Sequence, residues 1–270
     1  MTNINDIIKN MTLEEKARML CGYKSMETYP VDRLNIPSLV FSDGPSGVRK
    51  EDENGDSLIG ISNSLPTTSF PSGNNLASTW NKDLIYDVSN AISKECKHFG
   101  IDILLGPAIN IRKNPLNGRN FEYYSEDATL SAEIGRYEVS GIEKNGVFVV
   151  YKHFALNDCE QDRIGLGVWL NEQSAREIYL RAFQGGLEKS QGVVMNDNGE
   201  FEYAGKGGNG VMMAYTRWGT QWSGGNKNLV KGIMNEEWQC NGLQITDNVL
   251  NSMVNGIDGV MGGTTTFDSM

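Results

Sequence analysis

Continuous apolar runs alternate with amphipathic segments along this chain of 270 residues. The amphipathic segments carry apolar residues at helical spacing and predict helices at residues 81–100, 125–146, 171–190 and 226–239. The apolar runs predict strands at residues 37–45, 64–71, 101–110, 146–155, 209–219, 242–247 and 256–263. Strands that are apolar throughout and alternate with helices are typical of a parallel sheet covered by helices.

The number of strands and the chain length together indicate the fold class. About seven strands in a chain of this size favour an α/β fold, the (β/α)8 TIM-type barrel, over an open doubly wound sheet. The stretch after Asp247 is short, and TTTFDSM at the end lacks a closing helix. We therefore expect one barrel domain over residues 1–270, and whether it is complete at its C-terminal end is left open.

Charge and composition narrow the classes of function. The formal charge is −10, from 24 basic and 34 acidic residues, which argues against nucleic-acid and anionic membrane partners. The start, MTNINDIIKNMTLEEK, has no apolar run of a secretory signal, so we expect a cytoplasmic protein with reduced cysteines. The chain has 2 histidines, so a histidine-rich zinc site is not expected; neither is another metal or a cofactor.

Polar side chains follow several of the predicted strands at the point where each strand ends. They are Asp43, Lys152 with His153, Tyr215 and Asp247. In a barrel the carboxyl ends of all strands meet at one mouth, where active sites lie. Any one of these residues could be a turn residue, since turns favour Asp. As a group, they predict a site for a polyhydroxylated ligand, because such side chains bind hydroxyl groups.

The segment GPAINIRKNPLNGRNFEYYSED, residues 106–127, belongs to the same predicted mouth. It follows a strand, is rich in Gly, Pro and Asn, and carries Arg119, Glu122 and paired tyrosines. Loops of this kind at the carboxyl face of a barrel usually carry function. The alternative is a simple helix-start loop with Ser125 as the cap, but that explains only its last residues.

These motifs together indicate a known family. The matching pieces are MTLEEKARML, SDGPSGVR, FPSGNNLASTWN, GPAINIRKNPLNGRNFEYYSED, KHFALNDCEQDR, NEQSAREIYLRAF, VMMAYTRWG and GLQITD. Their order and content resemble the N-terminal barrel domain of glycoside hydrolase family 3, the β-glucosidase and β-xylosidase family. The resemblance covers nearly the whole chain and implies a retaining β-glycoside hydrolase, most simply a β-glucosidase, which acts through a covalent glycosyl-enzyme.

The resemblance also implies a role for individual residues. Asp247 matches the catalytic nucleophile of the family. The residues that match sugar-binding or supporting positions are Asp43, Arg119, Lys152, His153, Arg163 and Tyr215, and we expect Met212 to line the same pocket. Lys152 and Arg119 would favour the ionised form of the nucleophile.

The acid/base residue is not identified by the resemblance. In most members it is a glutamate of a second, C-terminal α/β domain, which we expect to be absent from this chain. One branch uses an Asp-His pair, but NDCEQDRIG after the Lys-His motif has no histidine. Glu122 is a weak substitute and is expected to be structural. A second domain or a partner chain is thus a candidate for supplying the acid.

Two alternatives remain open from the residues. The chain could be a sugar-binding barrel with little activity, because the acid is missing. In a different reaction class, it could be a Schiff-base aldolase that uses Lys152 as its amine, since a lysine at a barrel strand end suits that mechanism. The adjacent His153 and the GRNFE and DGP motifs argue against the aldolase.

Overall fold

Strands and helices alternate along the chain in the computed structural model, which describes residues 4–23, 26–50, 64–189, 191–195, 198, 201–206 and 210–247. The strands are β1 (Gly22–Tyr23), β2 (Glu27–Thr28), β3 (Phe41–Asp43), β4 (Ile103–Leu105), β5 (Phe148–Phe154), β6 (Gly167–Val168), β7 (Gln191–Met195), β8 (Phe201–Lys206), β9 (Gly210–Met213), β10 (Arg217–Trp218), β11 (Gln221–Trp222) and β12 (Gln244–Thr246). The α-helices are α1 (Ile4–Asn10), α2 (Leu13–Met19), α3 (Gly73–Ser78), α4 (Lys82–His98), α5 (Ala128–Glu143), α6 (Glu172–Ser174) and α7 (Arg181–Lys189). Two π-helical segments are Ala175–Tyr179 and Asn228–Glu237.

The central sheet has five parallel strands in the order β12-β9-β5-β4-β3, which is the reverse of their order along the chain. Each strand therefore pairs with the next central strand in sequence; Leu104 of β4, for example, pairs with Ser42 of β3 and Val149 of β5. Because parallel crossovers are right-handed, a sheet with this sequential order carries its helices on one face. The result is a curled half-barrel of α/β class.

Both faces of this sheet are apolar, as expected from the unbroken apolar runs. On the convex face Leu104, Val149 and Val211 are fully buried against the helices, in the larger of two apolar clusters. The concave face holds a smaller apolar cluster composed of Phe41, Ile103, Leu105, Val150, Met212 and Ile245. Successive strand residues point to opposite faces, so neighbours such as Ile103 and Leu104 belong to different clusters.

Local signals in the sequence explain where the helices begin and end. Thr12 and Glu15 form a capping box at the start of α2. The Asn81 side chain accepts a hydrogen bond from the Leu84 N–H at the start of α4, and Gly100 ends that region with φ of 68°. Helices α4 and α5 approach closely at Gly141, where a Cβ would lie 2.5 Å from the Tyr86 carbonyl oxygen.

The predicted helices and strands can be compared with these bounds. Helices at 81–100 and 125–146 are confirmed as α4 and α5, whereas 171–190 contains α6, a π-helical segment and α7, and 226–239 contains the second π-helical segment. Five predicted strands are confirmed as β3, β4, β5, β9 and β12. None of the helices in the described ranges combines the length and the apolar character needed to cross a bilayer.

The predicted strand at residues 64–71 is wrong. Its prolines, Pro66 and Pro71, lack the N–H groups that a sheet ladder needs. The segment instead runs beside the loop after β3, where the N–H of Leu65 donates to the Lys50 carbonyl (2.8 Å) and that of Phe70 to the Ser46 carbonyl (2.9 Å). The strand predicted at residues 256–263 lies outside the described residues.

Candidate active site

Parallel pairing brings the polar strand ends to one edge of the central sheet. Asp43 is the last residue of β3, Lys152 and His153 lie near the end of β5, and Asp247 directly follows β12. Tyr215 follows β9 by two residues. The segment 106–127 leaves β4 at the same edge and brings Arg119 and Glu122 to it. The predicted convergence of these strand ends is therefore observed.

The backbone of Lys152 is held by the segment that follows β4. Its N–H donates to the Pro107 carbonyl (3.0 Å), and its carbonyl accepts from the Ile109 N–H (2.8 Å). In this stretch the register between β5 and β9 shifts, and the sheet is irregular. These bonds fix the direction in which the Lys152 side chain leaves the strand.

The Lys152 ammonium lies between two carboxylates. Its Nζ donates to Asp43 Oδ1 (2.6 Å) and lies 3.9 Å from Glu122 Oε2. The Lys152 and Glu122 side chains are 2% and 3% exposed, whereas that of Asp43 is 52% exposed. The site therefore has a closed side, with Lys152 and Glu122, and an open side, with Asp43.

The Asp43 carboxylate is stabilised in its ionised form. Surrounding protein atoms would raise its pKa, but the charge and hydrogen bond of Lys152, together with the charge of Arg119, lower the pKa of Asp43 below its usual value. The half-exposed carboxylate is thus an acceptor that faces solvent with its charge already balanced. Such a group is suited to accept hydrogen bonds from the hydroxyls of a ligand.

Arg119 connects Glu122 to the loop after β5. Its Nε donates a short hydrogen bond to Glu122 Oε1, and its Nη1 lies 3.9 Å from Glu160 Oε1. Burial opposes the charge, but Glu122, Tyr123 and Glu160 together raise the pKa of Arg119. Glu122 therefore holds two cations, Arg119 and Lys152, in one buried cluster.

Glu160 extends this cluster toward Tyr215. Its Oε2 accepts from Arg163 Nη1 (2.9 Å), and its Oε1 accepts from Asn157 Nδ2 (2.7 Å). The Arg163 guanidinium lies 4.7 Å from the centroid of the Tyr215 ring, a cation–π contact. The Glu160 carboxylate thus orients Asn157 and Arg163, and through Arg163 it supports Tyr215.

His153 is buried and held by two side chains of the segment 106–127. Its N–H donates to Asn110 Oδ1 (2.7 Å), and its ring Nδ1 lies 3.5 Å from the Tyr123 hydroxyl. Burial lowers its pKa well below the usual value, and three neighbouring cations add to the effect: Arg119, Lys152 and Arg163. The imidazole is therefore neutral, and since Nδ1 faces Tyr123, its Nε2 is the nitrogen that can donate to or accept from a ligand, according to the tautomer.

Asp247 and Met212 occupy different positions from the charged cluster. Asp247 is partly exposed at the sheet edge, on β12, two strands from Lys152 on β5. Met212 is 4% exposed and lies in the concave apolar cluster, where it pairs in register with Ile245. Contacts thus join six of the predicted residues, while Asp247 shares their edge and Met212 lies in the apolar cluster on the concave face.

Sequence reasoning missed four residues that hold the site together: Asn110, Tyr123, Asn157 and Glu160. The last two have a recognisable signal, because Asn157, Glu160 and Arg163 recur every three residues directly after the Lys-His motif. Asn110 carries no such signal, and although Tyr123 is one of the paired tyrosines noted in the sequence, its contact with His153 is distant in sequence. Within the described ranges, no group of three or more His, Cys, Asp or Glu residues is arranged to hold a metal ion.

Comparison with known proteins gives consistent similarities. Residues 53–262 match the family described as "Glycosyl hydrolase family 3 N terminal domain". The chain is 37% identical over 257 residues to thermostable beta-glucosidase B of Acetivibrio thermocellus, covering 95% of this chain and 32% of that protein. It is 33% identical over 240 residues to an exo-alpha-(1->6)-L-arabinopyranosidase of Bifidobacterium longum, covering 89% of this chain and 30% of that protein.

Solved structures give the same picture. The structure of beta-glucosidase 3B from Thermotoga neapolitana in complex with glycerol superposes with a TM-score of 0.82 at 35% identity, covering 96% of this chain and 36% of that one. A beta-glucosidase from Kluyveromyces marxianus in complex with glucose superposes with a TM-score of 0.85 at 27% identity, covering 98% and 30%. The chain thus spans about a third of the length of the relatives it matches.

Proposed function

The chain belongs to glycosyl hydrolase family 3, and from this premise we propose that it forms the catalytic barrel of a retaining β-glycoside hydrolase. The preferred substrate class is a β-glucoside, because relatives over most of the chain are named beta-glucosidases. The proposal includes a full (β/α)8 barrel, of which the described central sheet forms five strands. It treats residues 1–270 as one domain.

One observation carries the proposal: the charged cluster at the carboxyl edge of the sheet. Asp43 supplies an ionised acceptor, His153 a neutral imidazole, and Arg119 and Arg163 supply donors fixed by Glu122 and Glu160. A sugar ring has hydroxyls that both donate and accept, so it can use all of these groups at once. The groups are held before a ligand arrives, which reduces the entropy lost on binding.

Asp247 is the proposed nucleophile. Its carboxylate would attack the anomeric carbon as the bond from that carbon to the leaving oxygen breaks, giving a covalent glycosyl-enzyme. Water would then attack the same carbon, release the sugar and return the carboxylate. The position of Asp247 after β12, partly exposed at the edge that carries Lys152, supports this role.

The acid/base is proposed to come from outside residues 1–270, from a second domain or a partner chain. A retaining enzyme needs this second carboxyl about 5–5.5 Å from the nucleophile. Glu122 is a poor candidate because its side chain is 3% exposed and bound by Arg119 and Lys152. A buried carboxylate that holds two cations is not placed to protonate a leaving group at the mouth.

The two alternatives differ in what supports them. A sugar-binding barrel without activity would use the same cluster to hold the sugar. It differs only in that Asp247 would not form a covalent bond to the sugar. An aldolase would need Lys152 to reach a carbonyl substrate, but its side chain is 2% exposed and its Nζ is bonded to Asp43 at 2.6 Å. The inactive sugar-binding barrel is therefore the second candidate.

The test is to incubate the chain with an activated 2-deoxy-2-fluoro-β-glucoside, whose leaving group needs no acid catalyst, and to measure its mass. We expect one sugar adduct, located by peptide mapping on the peptide that contains Asp247. A folded protein that carries no adduct, but binds glucose in titration calorimetry, would support the sugar-binding barrel instead. An adduct on a different carboxylate would refute the assignment of Asp247.

A further inference from the structure

A cavity of about 450 Å³ lies apart from the residues of the candidate active site. It is bounded by the end of α3, by residues 112–126 and by the first turn of α5. Its volume is within the range of small-molecule sites. None of the predicted sugar-binding residues lines it, although Asn120 lines it and neighbours Arg119 in sequence.

Arg112 brings an unused donor to this cavity. Its Nε is buried and has no hydrogen-bond partner, and the ion pairs among the described residues do not include its guanidinium. The adjacent Lys113 differs, because its Nζ lies 3.6 Å from Asp158 Oδ2 and 5.7 Å from the Tyr179 ring centroid. Arg112 lines the cavity, so the N–H groups at the end of its guanidinium can donate to a ligand with acceptor oxygens.

Trp80 forms an exposed wall of the same cavity. Its side chain is 76% exposed, which is unusual for so large an apolar group, and its φ is 54°, in the left-handed region. Its N–H donates to the Ala77 carbonyl (3.2 Å), which ties it to the end of α3. The backbone of Trp80 is therefore fixed beside the cavity, and its exposed indole offers a flat apolar face there.

The charges around the cavity restrict the class of ligand. Arg112 would disfavour a cation, and the exposed carboxylate of Glu126 would disfavour an anion. The charge of Lys113, which also lines the cavity, is balanced by Asp158 at 3.6 Å. Hydroxyl groups both donate and accept, so a neutral hydroxylated ligand can satisfy both residues, and its apolar ring face can stack on Trp80. We propose that this cavity is a second saccharide-binding site, which takes one pyranose unit between Trp80, Arg112 and Glu126. This site does not depend on the role of Asp247.

The test follows oxidation of individual tryptophans in the intact chain. The protein is treated with hydroxyl radicals with and without cellobiose, and oxidation at each tryptophan is measured by peptide mass spectrometry. Trp169 is the internal control, because its side chain is 77% exposed and it does not line the cavity. We expect cellobiose to protect Trp80 and to leave Trp169 unchanged. Equal oxidation of Trp80 with and without the sugar would refute the proposal.

Two variants separate this site from the candidate active site. Asp43→Asn weakens the proposed sugar site at the sheet edge, and protection of Trp80 should persist in it at the same cellobiose concentration. Arg112→Gln should weaken protection of Trp80 by about tenfold, the loss expected for one charge-assisted hydrogen bond. If protection disappears in Asp43→Asn and persists in Arg112→Gln, the cavity does not bind the sugar. Protection by acetate but not by cellobiose would make it an anion site and overturn the proposal.

Discussion

The carboxyl ends of β5 and β12 lie on the same edge of the sheet but differ in how closely the protein surrounds them. At the end of β5, Lys152 and His153 are each 2% exposed, and both are bound by side chains from other segments. At the end of β12, Asp247 is partly exposed. The first region is closed and organised before any ligand binds, whereas the second keeps its carboxylate accessible.

This difference separates two tasks that a sugar site must perform. Groups that hold hydroxyls gain from being fixed in advance, since fixing them lowers the entropy lost on binding. A group that forms and breaks a covalent bond must be reached by the substrate and then by water. Changes at the β5 end should therefore affect stability as well as binding, and changes at Asp247 should affect reaction alone.

The largest effect is expected for Asp247→Ala. Labelling by the fluoro-glucoside should fall by at least about a thousandfold, because the attacking oxygen is removed. The free energy of unfolding should change by less than about 1 kcal/mol, since the residue is partly exposed at a strand end. Intact mass spectrometry and urea unfolding measure the two quantities. Labelling at an undiminished rate would show that another residue reacts.

The Lys152–Asp43 pair provides the next test, which compares how much two variants lower the free energy of unfolding. Asp43→Asn leaves a buried ammonium with Glu122 at 3.9 Å, and we expect it to lower the free energy of unfolding by about 2–3 kcal/mol. Lys152→Met should lower it by about 1 kcal/mol, because water can reach the half-exposed Asp43 and Arg119 still binds Glu122. Urea unfolding of both variants checks the order. A larger loss for Lys152→Met would mean that the β5 end is less closed than its exposure indicates.

Glu138 is a buried carboxyl that, unlike Glu122, forms no ion pair with a cation in the part of the chain that the structure describes. Its neighbour is Tyr124, whose hydroxyl donates to it, and burial raises the pKa of Glu138 to about 7. The folded state then holds a proton that the unfolded state releases above its own pKa of about 4.5. Stability from this group is thus complete below about pH 4.5 and is lost as the pH rises through about 7.

Glu138→Gln tests this pH dependence. Between pH 5 and pH 8 the wild-type chain should lose about 2 kcal/mol more stability than the Gln variant, in which nothing titrates at this position. Urea unfolding at the two pH values measures the difference. Glu133→Gln on the same helix is the matched control, because Glu133 is 39% exposed and paired with Arg136. Equal pH dependence in the wild-type and Glu138→Gln chains would show that Glu138 is ionised like a surface residue.

Much of the fold could be predicted because its strands are covered on both faces. Runs such as ILL (103–105) and VFVVY (147–151) are apolar throughout, and short apolar runs that alternate with helices are typical of buried parallel strands. The strand predicted at residues 64–71 is wrong because the prediction followed the apolar and β-branched residues of the segment and gave too little weight to its two prolines. The π-helical segments were not predicted. Their backbone hydrogen bonds span one residue more than those of an α-helix, and this change leaves the spacing of apolar residues nearly unchanged.

The candidate site could be predicted where residues lie at strand ends, and less well where they lie in loops. Asp43, Lys152 and Asp247 have positions set by the sheet, so their common edge follows from parallel pairing. Asn110 and Tyr123 lie in a loop whose path depends on tertiary contacts, and no periodicity indicates their partners. The resemblance to the family supplied Arg119 and Arg163, but it did not indicate the carboxylates that orient them.

The smallest effect is expected at Glu160, which joins the charged cluster at the β5 end to Tyr215 through Arg163. Glu160→Gln removes the negative charge that holds Arg163 (2.9 Å) and neighbours Arg119 (3.9 Å), while one side-chain oxygen can still accept from Asn157. We expect the rate of labelling by the fluoro-glucoside to fall by about tenfold at low reagent concentration, as for one weakened charge-assisted hydrogen bond. Stability should change by less than about 1 kcal/mol.

The concentration dependence of labelling distinguishes orientation of the sugar site from a general loss of structure. If Glu160 orients Arg163 and Arg119, its variant should need more reagent to reach half-maximal labelling, while the fraction of protein that can be labelled stays the same. Glu237→Gln is the matched control, since Glu237 bonds to Arg176 at 2.7 Å on the exposed surface. The control should label like the wild-type chain. If both variants label equally, or if Glu160→Gln lowers only the fraction labelled, Glu160 does not couple the closed β5 end to the reacting group.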